Sequence, residues 1–310
     1  DCVGYHSIGH GFFLEDGTEV HNVLDRNLAV QACLGQPLPK QVLPFDRNDG
    51  AGFWWANSLN TFTRNVAAEC DEYGFRFEVV KDSKFDPTLK VRQPDGSKSA
   101  VDVRTLPFVR FEDNESHCQR RHAFNLGGMD AKLGQGVASA GPDAKHPFVV
   151  KNMKVWNSHW TFHTLASSVL VDGLTANDVE YGLWRIPYKQ HAYRGVSLTK
   201  ITVKEEFMPT GERPQEANFP KPLDPIDDQP PTTVITHVIP AGGSLKIRGT
   251  TADNGTVKKV TVNGVEAKPL AGNLAEWEVV LPAGAKSLTA LAEDAAGNVE
   301  KTPHVLAVSP

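Results

Sequence analysis

Residues 52–78 read GFWWANSLNTFTRNVAAECDEYGFRFE, and the spacing inside this stretch recurs through most of the chain. Phe53 and Phe75 lie 22 residues apart, and each belongs to a short aromatic strand pattern. Between them, Asn65 ends a second strand pattern and precedes Phe75 by ten residues. A repeat in the twenties with a strand at each of two fixed places indicates a solenoid, in which each coil stacks its apolar residues on the next.

Two columns of residues extend this spacing along residues 1–207. The apolar column predicts one interior stack and comprises Phe12, Phe53, Phe75, Phe124, Phe162 and Leu183. The asparagine column predicts a ladder of side-chain amides and comprises Asn27, Asn65, Asn114 and Asn152. Because the LxxLxL pattern of leucine-rich repeats is missing, the repeat favours a right-handed parallel β-helix. Insertions leave the coils at their turns, where we expect them to wall a groove, and they span residues 31–49, 79–107 and 127–147.

The composition changes after Phe207. Residues 208–231 form a proline-rich run with almost no apolar periodicity, which predicts an extended linker. Residues 232–310 then give short alternating strands separated by Asn-Gly turns, which predict a β-sandwich. The phrases PPTTVI, TADNGTVKKVTVNG and EDAAGNVE resemble bacterial immunoglobulin-like modules. The predicted fold class is therefore all-β: a right-handed parallel β-helix followed by an immunoglobulin-like β-sandwich.

The net charge and the hydrophobicity of the chain limit the classes of partner that we expect. The 310 residues carry a formal net charge of -5, which gives no reason to expect a nucleic acid. No apolar run reaches the roughly 20 residues of a membrane helix, so we expect no membrane insertion. The cysteines show no CxxC spacing, and two disulfides or free thiols both fit Cys2, Cys33, Cys70 and Cys118.

Strand alternation predicts which side chains face the groove, since neighbouring residues point to opposite sides of a strand. The outward column mixes aromatic rings with polar side chains and comprises Phe13, Trp54, Arg76, Asn125, His163 and Trp184. Rings stack on sugar faces while the polar groups hold hydroxyls and carboxylates, so this column predicts a polysaccharide-binding track. In the alternative, the insertions cover the column and make it a second core.

Another column is expected to form a structural stack of rings at a turn and comprises His10, Tyr73, His122, Trp160 and Tyr181.

A cluster of ionisable residues follows the first aromatic strand. Glu15, Asp16, Glu19 and His21 are the candidate catalytic residues, with acid or base roles. Asp16, Glu19 and His21 are also the candidate ligands of a divalent metal, for which the oxygen-rich set favours Ca²⁺. The alternative is a turn held together by its own side chains, without chemistry.

The residues that carry a family resemblance lie in the coils. The segment GHGFFLEDGTEVHNVLDRNLAV (9–30) is the most specific, and GFWWANSLNTFTRNVAA, YGFRFE, FVVKNMKVWNSHWTFH and VEYGLWR extend it over residues 1–207. They resemble the β-helix of the hyaluronan-depolymerising proteins that carry a G8 domain, and their bacterial relatives. No G8 domain is present, and Asp1 falls in mid-coil, which predicts upstream coils in the parent protein as a partner. The resemblance implies an extracellular acidic polysaccharide as ligand, and a secreted or cell-surface location.

Three functions therefore stay open at this point. The first is a protein that binds or depolymerises an acidic glycan, as a glycoside hydrolase or polysaccharide lyase. The second is a non-catalytic adhesin-type β-helix, which insertions packed over Trp54 would favour. The third is a metal-binding secreted protein in which His122, His159 or His163 holds the ion, which a transition metal that survives purification would favour.

Overall fold

A computed structural model describes residues 1–37, 39–41, 43–81, 84–93, 97–106, 108–127, 145–166, 168–184, 190–207 and 226–308. The all-β prediction is confirmed, since the elements in these residues are strands and two single-turn 3₁₀ helices, Val103–Thr105 and Gly272–Leu274. In this part of the chain, no helix has the length and apolarity needed to span a membrane. The chain divides into two compact units, residues 1–91 with 99–224 and residues 92–98 with 225–310.

The first unit is built from short strands that return to the same three faces. In chain order they are β1 (Val3–Tyr5), β2 (Phe12–Leu14), β3 (Val23–Asp25), β4 (Leu28–Val30), β5 (Ala51–Trp55), β6 (Thr61–Thr63), β7 (Val66–Ala68), β8 (Tyr73–Phe77), β9 (Thr88–Arg92), β10 (Lys98–Asp102), β11 (Arg110–Glu112), β12 (Glu115–His117), β13 (His122–Leu126), β14 (Phe148–Thr164), β15 (Ser168–Trp184) and β16 (Gln190–Phe207). The last three each run along all three faces, while β9 and β10 form a separate two-stranded sheet.

Every face is a parallel stack, which confirms the predicted parallel β-helix. The first face stacks β1, β4, β7, β12 and the middle of β14. The second stacks β2, β5, β8, β13 and the end of β14, and the third stacks β3, β6, β11 and the start of β14. Each strand is short because the backbone turns a corner between faces.

One corner repeats a left-handed residue from coil to coil. Arg26, Arg64, Asp113 and Asn152 have φ of 54°, 54°, 57° and 51°. A single residue in this conformation turns the chain sharply. The free-energy cost of that conformation must be offset by the contacts of the surrounding structure. These four residues therefore mark where the third face ends and the first face of the next coil begins.

The asparagine ladder lies just after this corner and is confirmed for three of its four members. Asn27 Nδ2 donates to Asn65 Oδ1 at 3.0 Å, and Asn65 Nδ2 donates to Asn114 Oδ1 at 3.0 Å, all in buried positions. The prediction is wrong for Asn152. Because Glu115 is in register with Lys154, Asn114 lies opposite Met153, which is buried, whereas Asn152 is exposed at the corner itself.

The predicted interior stack is also confirmed. Phe12 and Phe53 stack with centroids 4.9 Å apart, and Phe53 and Phe75 repeat that distance. Phe124 and Phe162 continue the column at 5.3 Å. Removing a phenylalanine ring from water stabilises the fold by roughly 2–3 kcal/mol, so this column is a main source of stability.

The second unit is a sandwich of two antiparallel sheets. Its strands are β17 (Thr232–Ala241), β18 (Ser244–Ala252), β19 (Val257–Val262), β20 (Val265–Glu266), β21 (Lys268–Pro269), β22 (Glu276–Pro282), β23 (Ser287–Asp294) and β24 (His304–Ala307). The sheets have the orders β17-β18-β22-β21 and β20-β19-β23-β24, and one apolar core lies between them around Trp277. The β-sandwich is thus confirmed, while its immunoglobulin-like character stays a prediction.

Two other predictions meet the structure only in part. Most of the linker 208–231 lies outside the described residues, as do 128–144 of the third insertion, so the domain boundaries stay predictions.

All four cysteines are free thiols, which decides between the two disulfides and the free thiols that the sequence left open. Burial raises the pKa of the Cys70 thiol to about 11, so this thiol is inert.

Candidate functional site

The outward column forms in the register that the sequence predicts. Five strand pairings connect its members one coil at a time, from Phe13 to Trp54, Arg76, Asn125, His163 and Trp184. These residues therefore share one face of the helix, at successive heights. What each of them can contact depends on the segments packed over that face.

The insertion 31–49 covers the column at Trp54. The Trp54 side chain is 1% exposed and packs with Leu43 and Phe45 of the insertion in a separate small apolar cluster. Phe13 stays 37% exposed and meets the Trp54 ring edge-on at 5.1 Å. The alternative in which insertions cover the column thus holds at Trp54, and a ligand reaches this ring only if the insertion moves.

A buried histidine-carboxylate pair anchors this insertion. His10 Nε2 lies 2.9 Å from Asp46 Oδ1, and both side chains are almost fully buried. The backbone N–H of Ala51 donates to His10 Nδ1 at 3.3 Å, so the ring proton is on Nε2 and points at Asp46. Asp46 also accepts from the backbone N–H of Asn48 at 2.9 Å. These bonds fix the insertion over the face.

Beyond Trp54 the face opens into a cavity of about 760 Å³. The strands contribute its lining from Tyr73, Arg76, Glu78, His122, Asn125, Trp160 and His163. The insertion contributes the opposite side through Leu34, Pro44, Phe45, Arg47 and Asp49. Three residues of the predicted outward column and three of the predicted ring column therefore meet in one cavity of the size that ligand sites have.

A chain of oriented polar groups crosses the cavity. Arg76 Nη2 lies 2.7 Å from Glu78 Oε1, and Arg76 Nη1 donates to Asn125 Oδ1. Because Oδ1 of Asn125 faces Arg76, its Nδ2 donates to His163 Nδ1 at 3.2 Å. His163 therefore carries its proton on Nε2 and offers an N–H donor. Burial, with the charges of Arg76 and Arg121, lowers the pKa of His163 to about 3, so the ring is neutral.

Asp49 contributes a second carboxyl group to the cavity. Its Oδ1 is buried and accepts no hydrogen bond. Burial raises the pKa of Asp49, and the nearby charge of Arg76 only partly opposes that shift. A carboxyl group that is short of partners and holds its proton more tightly than usual is the type of group that serves as a general acid.

The ring column is a stack, as predicted. Tyr73 stacks on His122 at 5.4 Å, His122 on Trp160 at 5.8 Å and Trp160 on Tyr181 at 4.4 Å. The pKa of His122 is well below its usual value because the ring is buried, and its Nδ1 has no hydrogen-bond partner. His10 departs from the stack and lies against Trp54 instead, at 5.6 Å.

The sequence-predicted cluster at residues 15–21 holds its own turn together. Glu19 Oε1 accepts from the backbone N–H of Glu15 at 2.8 Å, and Glu19 Oε2 accepts from that of Gly17 at 3.0 Å. Asp16 Oδ1 accepts from the backbone N–H of Thr18 at 2.7 Å. His21 is left-handed, with φ of 59°. The catalytic and metal roles stay predictions, and these contacts agree with the alternative of a self-supporting turn.

Asp16 and Glu19 interact through their side chains, but in the part of the chain that the structure describes they do not form a three-ligand group with His21. There, the one group of three acidic, histidine or cysteine side chains whose ligand atoms lie within 4.8 Å of one another is elsewhere, in the sandwich. His159 Nδ1 pairs with Glu180 Oε2 at 2.7 Å, whereas His163 Nδ1 bonds to Asn125. The two histidines thus direct these ring nitrogens to different partners.

Sequence reasoning missed Asp49, Arg47 and the role of Glu78. Alternation places Glu78 on the same outward side as Arg76, two residues before it, but does not predict that the two side chains pair. Asp49 and Arg47 come from an insertion that has no periodicity, and nothing in the sequence indicates where an insertion folds back.

Comparison with known proteins supports the β-helix itself. Residues 1–124 match the family model of the CEMIP β-helix. That match confirms the resemblance of the coils to this β-helix family. No solved structure gives a significant match.

Individual relatives match up to about half of the chain. The cell migration-inducing and hyaluronan-binding proteins of Mus musculus and Homo sapiens are each 29% identical over 168 residues, which cover 48% of this chain and 12% of theirs. The cell surface hyaluronidase of Danio rerio is 27% identical over 141 residues, 38% of this chain and 9% of its own. Fibrocystin-L of Mus musculus is 28% identical over 152 residues, 48% of this chain and 3% of its own. The chain thus spans a small part of these relatives.

Proposed function

We propose that the cavity binds a segment of an acidic polysaccharide of the hyaluronan type, outside the cell or at its surface. Of the named relatives, two are described as hyaluronan-binding proteins and one as a cell surface hyaluronidase. The match to the CEMIP β-helix covers the strands that hold Trp54 and Arg76 and extends to Phe124. The observation that carries the proposal is the cavity itself, which joins three carboxyl groups, cations and stacked rings.

The lining suits an acidic sugar. Arg47 is exposed at the cavity, and no carboxylate pairs with it in the part of the chain that the structure describes. A guanidinium without a protein partner is free to form two parallel hydrogen bonds to a uronate carboxylate. Trp160 and Tyr73, whose ring faces are stacked on their neighbours, add apolar ring atoms to the lining, and His163 offers its Nε2–H to a hydroxyl.

Two carboxyl groups in different surroundings further favour hydrolysis of a glycosidic bond. Asp49, whose pKa is raised by burial, donates its proton to the oxygen of the leaving sugar. Glu78, ion-paired with Arg76, places its negative charge near the cationic sugar carbon that forms. Water then adds its hydroxyl to that carbon and returns a proton to Asp49. One bond is broken by one water, and no other reactant is needed.

The cavity gives less support to cleavage by β-elimination, which needs a base that removes a sugar proton. His163 is a poor base because its pKa is lowered to about 3. The pKa of Tyr73 is raised because its hydroxyl is buried, so its phenolate is scarce at neutral pH. Hydrolysis is therefore the reaction that these groups suit better.

The test is incubation of the purified chain with hyaluronan, chondroitin sulfate and uncharged dextran, with and without EDTA. Size-exclusion chromatography reports shortening, and absorbance near 232 nm reports the unsaturated ends that only elimination leaves. We expect hyaluronan to shorten without that absorbance. Asp49→Asn should abolish cleavage and keep binding, whereas Asp113→Asn, at an exposed corner outside the cavity, should cleave normally.

Binding is tested separately by affinity electrophoresis in gels that contain hyaluronan. Arg47→Ala should weaken retardation at least tenfold, and Arg120→Ala, which removes a 77% exposed arginine outside the cavity, should not. If Asp49→Asn cleaves as fast as the unchanged chain, the hydrolysis proposal is overturned. If hyaluronan neither binds nor shortens, the whole proposal is overturned.

The burial of Trp54 favours a second candidate, a non-catalytic glycan-binding surface protein. The insertion over the first coils is fixed by buried bonds and acts there as architecture. This candidate predicts that hyaluronan retards the chain in the gel while its length distribution stays constant.

A further inference from the structure

Three aspartates meet at one end of the β-sandwich. Asp227 precedes β17, Asp253 directly follows β18, and Asp294 is the last residue of β23. Carboxylate oxygens of the three lie within 4.8 Å of one another. They come from three separate segments of the chain, so the fold itself brings them together.

Two of the three aspartates are buried, and three carboxylate oxygens of the cluster lack hydrogen-bond partners. Asp253 is 4% exposed, and neither of its carboxylate oxygens has a hydrogen-bond partner of normal geometry. Asp294 is fully buried, and Asp227 leaves its Oδ1 buried without a partner. Buried carboxylate oxygens in folded proteins almost always have a binding partner. Three buried oxygens without a partner at one place therefore indicate that a ligand binds there.

The charge at this site is also unbalanced. Among the described residues, no lysine, arginine or histidine forms an ion pair with any of the three aspartates. Three carboxylates this close repel one another strongly at low dielectric, and a cation between them converts that repulsion into attraction.

We propose that the sandwich binds one Ca²⁺ ion through the carboxylates of Asp227, Asp253 and Asp294. The donor set holds oxygen only, which suits a hard divalent ion rather than zinc or copper. Ca²⁺ accepts irregular oxygen cages, whereas Mg²⁺ demands near-ideal octahedral geometry and keeps most of its water. This site is separate from the cavity in the β-helix and does not rest on the proposed glycan binding.

Neighbouring residues fix the position of Asp227, the first of the three proposed ligands. Asn298 Nδ2 bonds to Asp294 Oδ2 at 2.8 Å and lies 3.3 Å from the backbone oxygen of Asp227. A Cβ at Gly255 would collide with Asp227 Oδ2, so only glycine leaves room for this carboxylate. The ion would therefore tie the segment that enters the sandwich to the two loops that follow β18 and β23.

The experiment uses the full chain after removal of metal with EGTA and dialysis. Isothermal titration calorimetry with CaCl2 should show one site that Asp253→Asn weakens at least a hundredfold, since the change removes a charge and keeps the shape. Asp228→Asn, an exposed neighbour of Asp227, is the matched control and should bind like the unchanged chain. Addition of Ca²⁺ should also raise the Tm of the unchanged chain but not that of Asp253→Asn.

Asp227→Asn covers the case in which Asp253→Asn does not fold, because Asp227 lies outside the strands and is only half-buried. It too should weaken binding at least tenfold. Absence of binding up to millimolar CaCl2 in the unchanged chain overturns the proposal. Undiminished binding in both folded variants overturns it as well and moves the ion to another part of the chain. Tighter binding of MgCl2 than of CaCl2 contradicts the choice of Ca²⁺.

Discussion

Arg76 and Glu78 form a two-pronged salt bridge on the floor of the cavity, with Nη2 2.7 Å from Oε1 and Nε 3.1 Å from Oε2. The two side chains are only 13% and 15% exposed, so each charge depends on the other for solvation. The same guanidinium lies 4.5 Å above the Tyr73 ring. The pair therefore both stabilises this face of the helix and fixes the direction in which a ligand meets it.

Glu78→Gln removes one charge of this pair and leaves Arg76 buried without its counter-ion. We expect the β-helix to lose about 3 kcal/mol of unfolding free energy, the usual cost of breaking a buried ion pair from one side. Urea titration followed by tryptophan fluorescence measures the loss. Asp172→Asn breaks an exposed pair with Arg194 and should cost less than about 1 kcal/mol. Equal costs for the two variants would contradict this account.

Acid should destabilise the β-helix through His163 and His122. The pKa of both rings is lowered by burial, to about 3 for His163, whereas an unfolded chain protonates histidine near pH 6.5. Protons therefore favour the unfolded state below pH 6.5, and stability falls by up to about 1.4 kcal/mol per pH unit for each ring. The Tm between pH 7 and pH 5 measures the slope. His163→Gln should flatten this slope.

The Glu19 carboxylate should matter for stability rather than for chemistry. It accepts backbone hydrogen bonds from Glu15, Asp16 and Gly17, and Glu19→Gln removes the charge that strengthens them. We expect a loss of about 1–2 kcal/mol with unchanged glycan binding and cleavage. Glu15→Gln is the control, because the backbone of Glu15 donates to this turn and its side chain is not used there. A folded, stable Glu19→Gln chain without activity would instead support the catalytic role predicted from the sequence.

The coils could be predicted because stacking leaves the same residue type at the same place in each coil. The ten-residue spacing from Asn65 to Phe75 marks both the corner of a coil and its next strand with an inward phenylalanine. The same spacing recurs from Asn114 to Phe124. Alternation then placed Arg76 and Asn125 on one face, as the register confirms. Glycine at positions 11, 52 and 74, just before the first three inward phenylalanines, is a further signal. A Cβ at Gly74 would lie 2.7 Å from the Ala123 carbonyl oxygen of the next coil.

The parts that sequence reasoning could not reach depend on contacts between distant, non-repeating segments. The cover over Trp54 rests on the pairing of His10 with Asp46, and no spacing encodes that pairing. The cluster of Asp227, Asp253 and Asp294 is likewise assembled by the sandwich and not by a motif. The sequence also does not separate two structural roles of asparagine, which suits both a hydrogen-bonded ladder and a left-handed corner.

That double use of asparagine gives a matched pair of variants. Asn65 is buried and its side chain makes bonds on both sides, to Asn27, Asn114 and the Leu24 carbonyl oxygen. Asn65→Ala leaves these partners unsatisfied and should cost about 3 kcal/mol. Asn152 is exposed with φ of 51°, so Asn152→Gly keeps the corner and should change stability by less than about 0.5 kcal/mol. Urea unfolding of both variants decides the matter: similar losses would return Asn152 to the ladder, whereas a large difference places it at the corner alone.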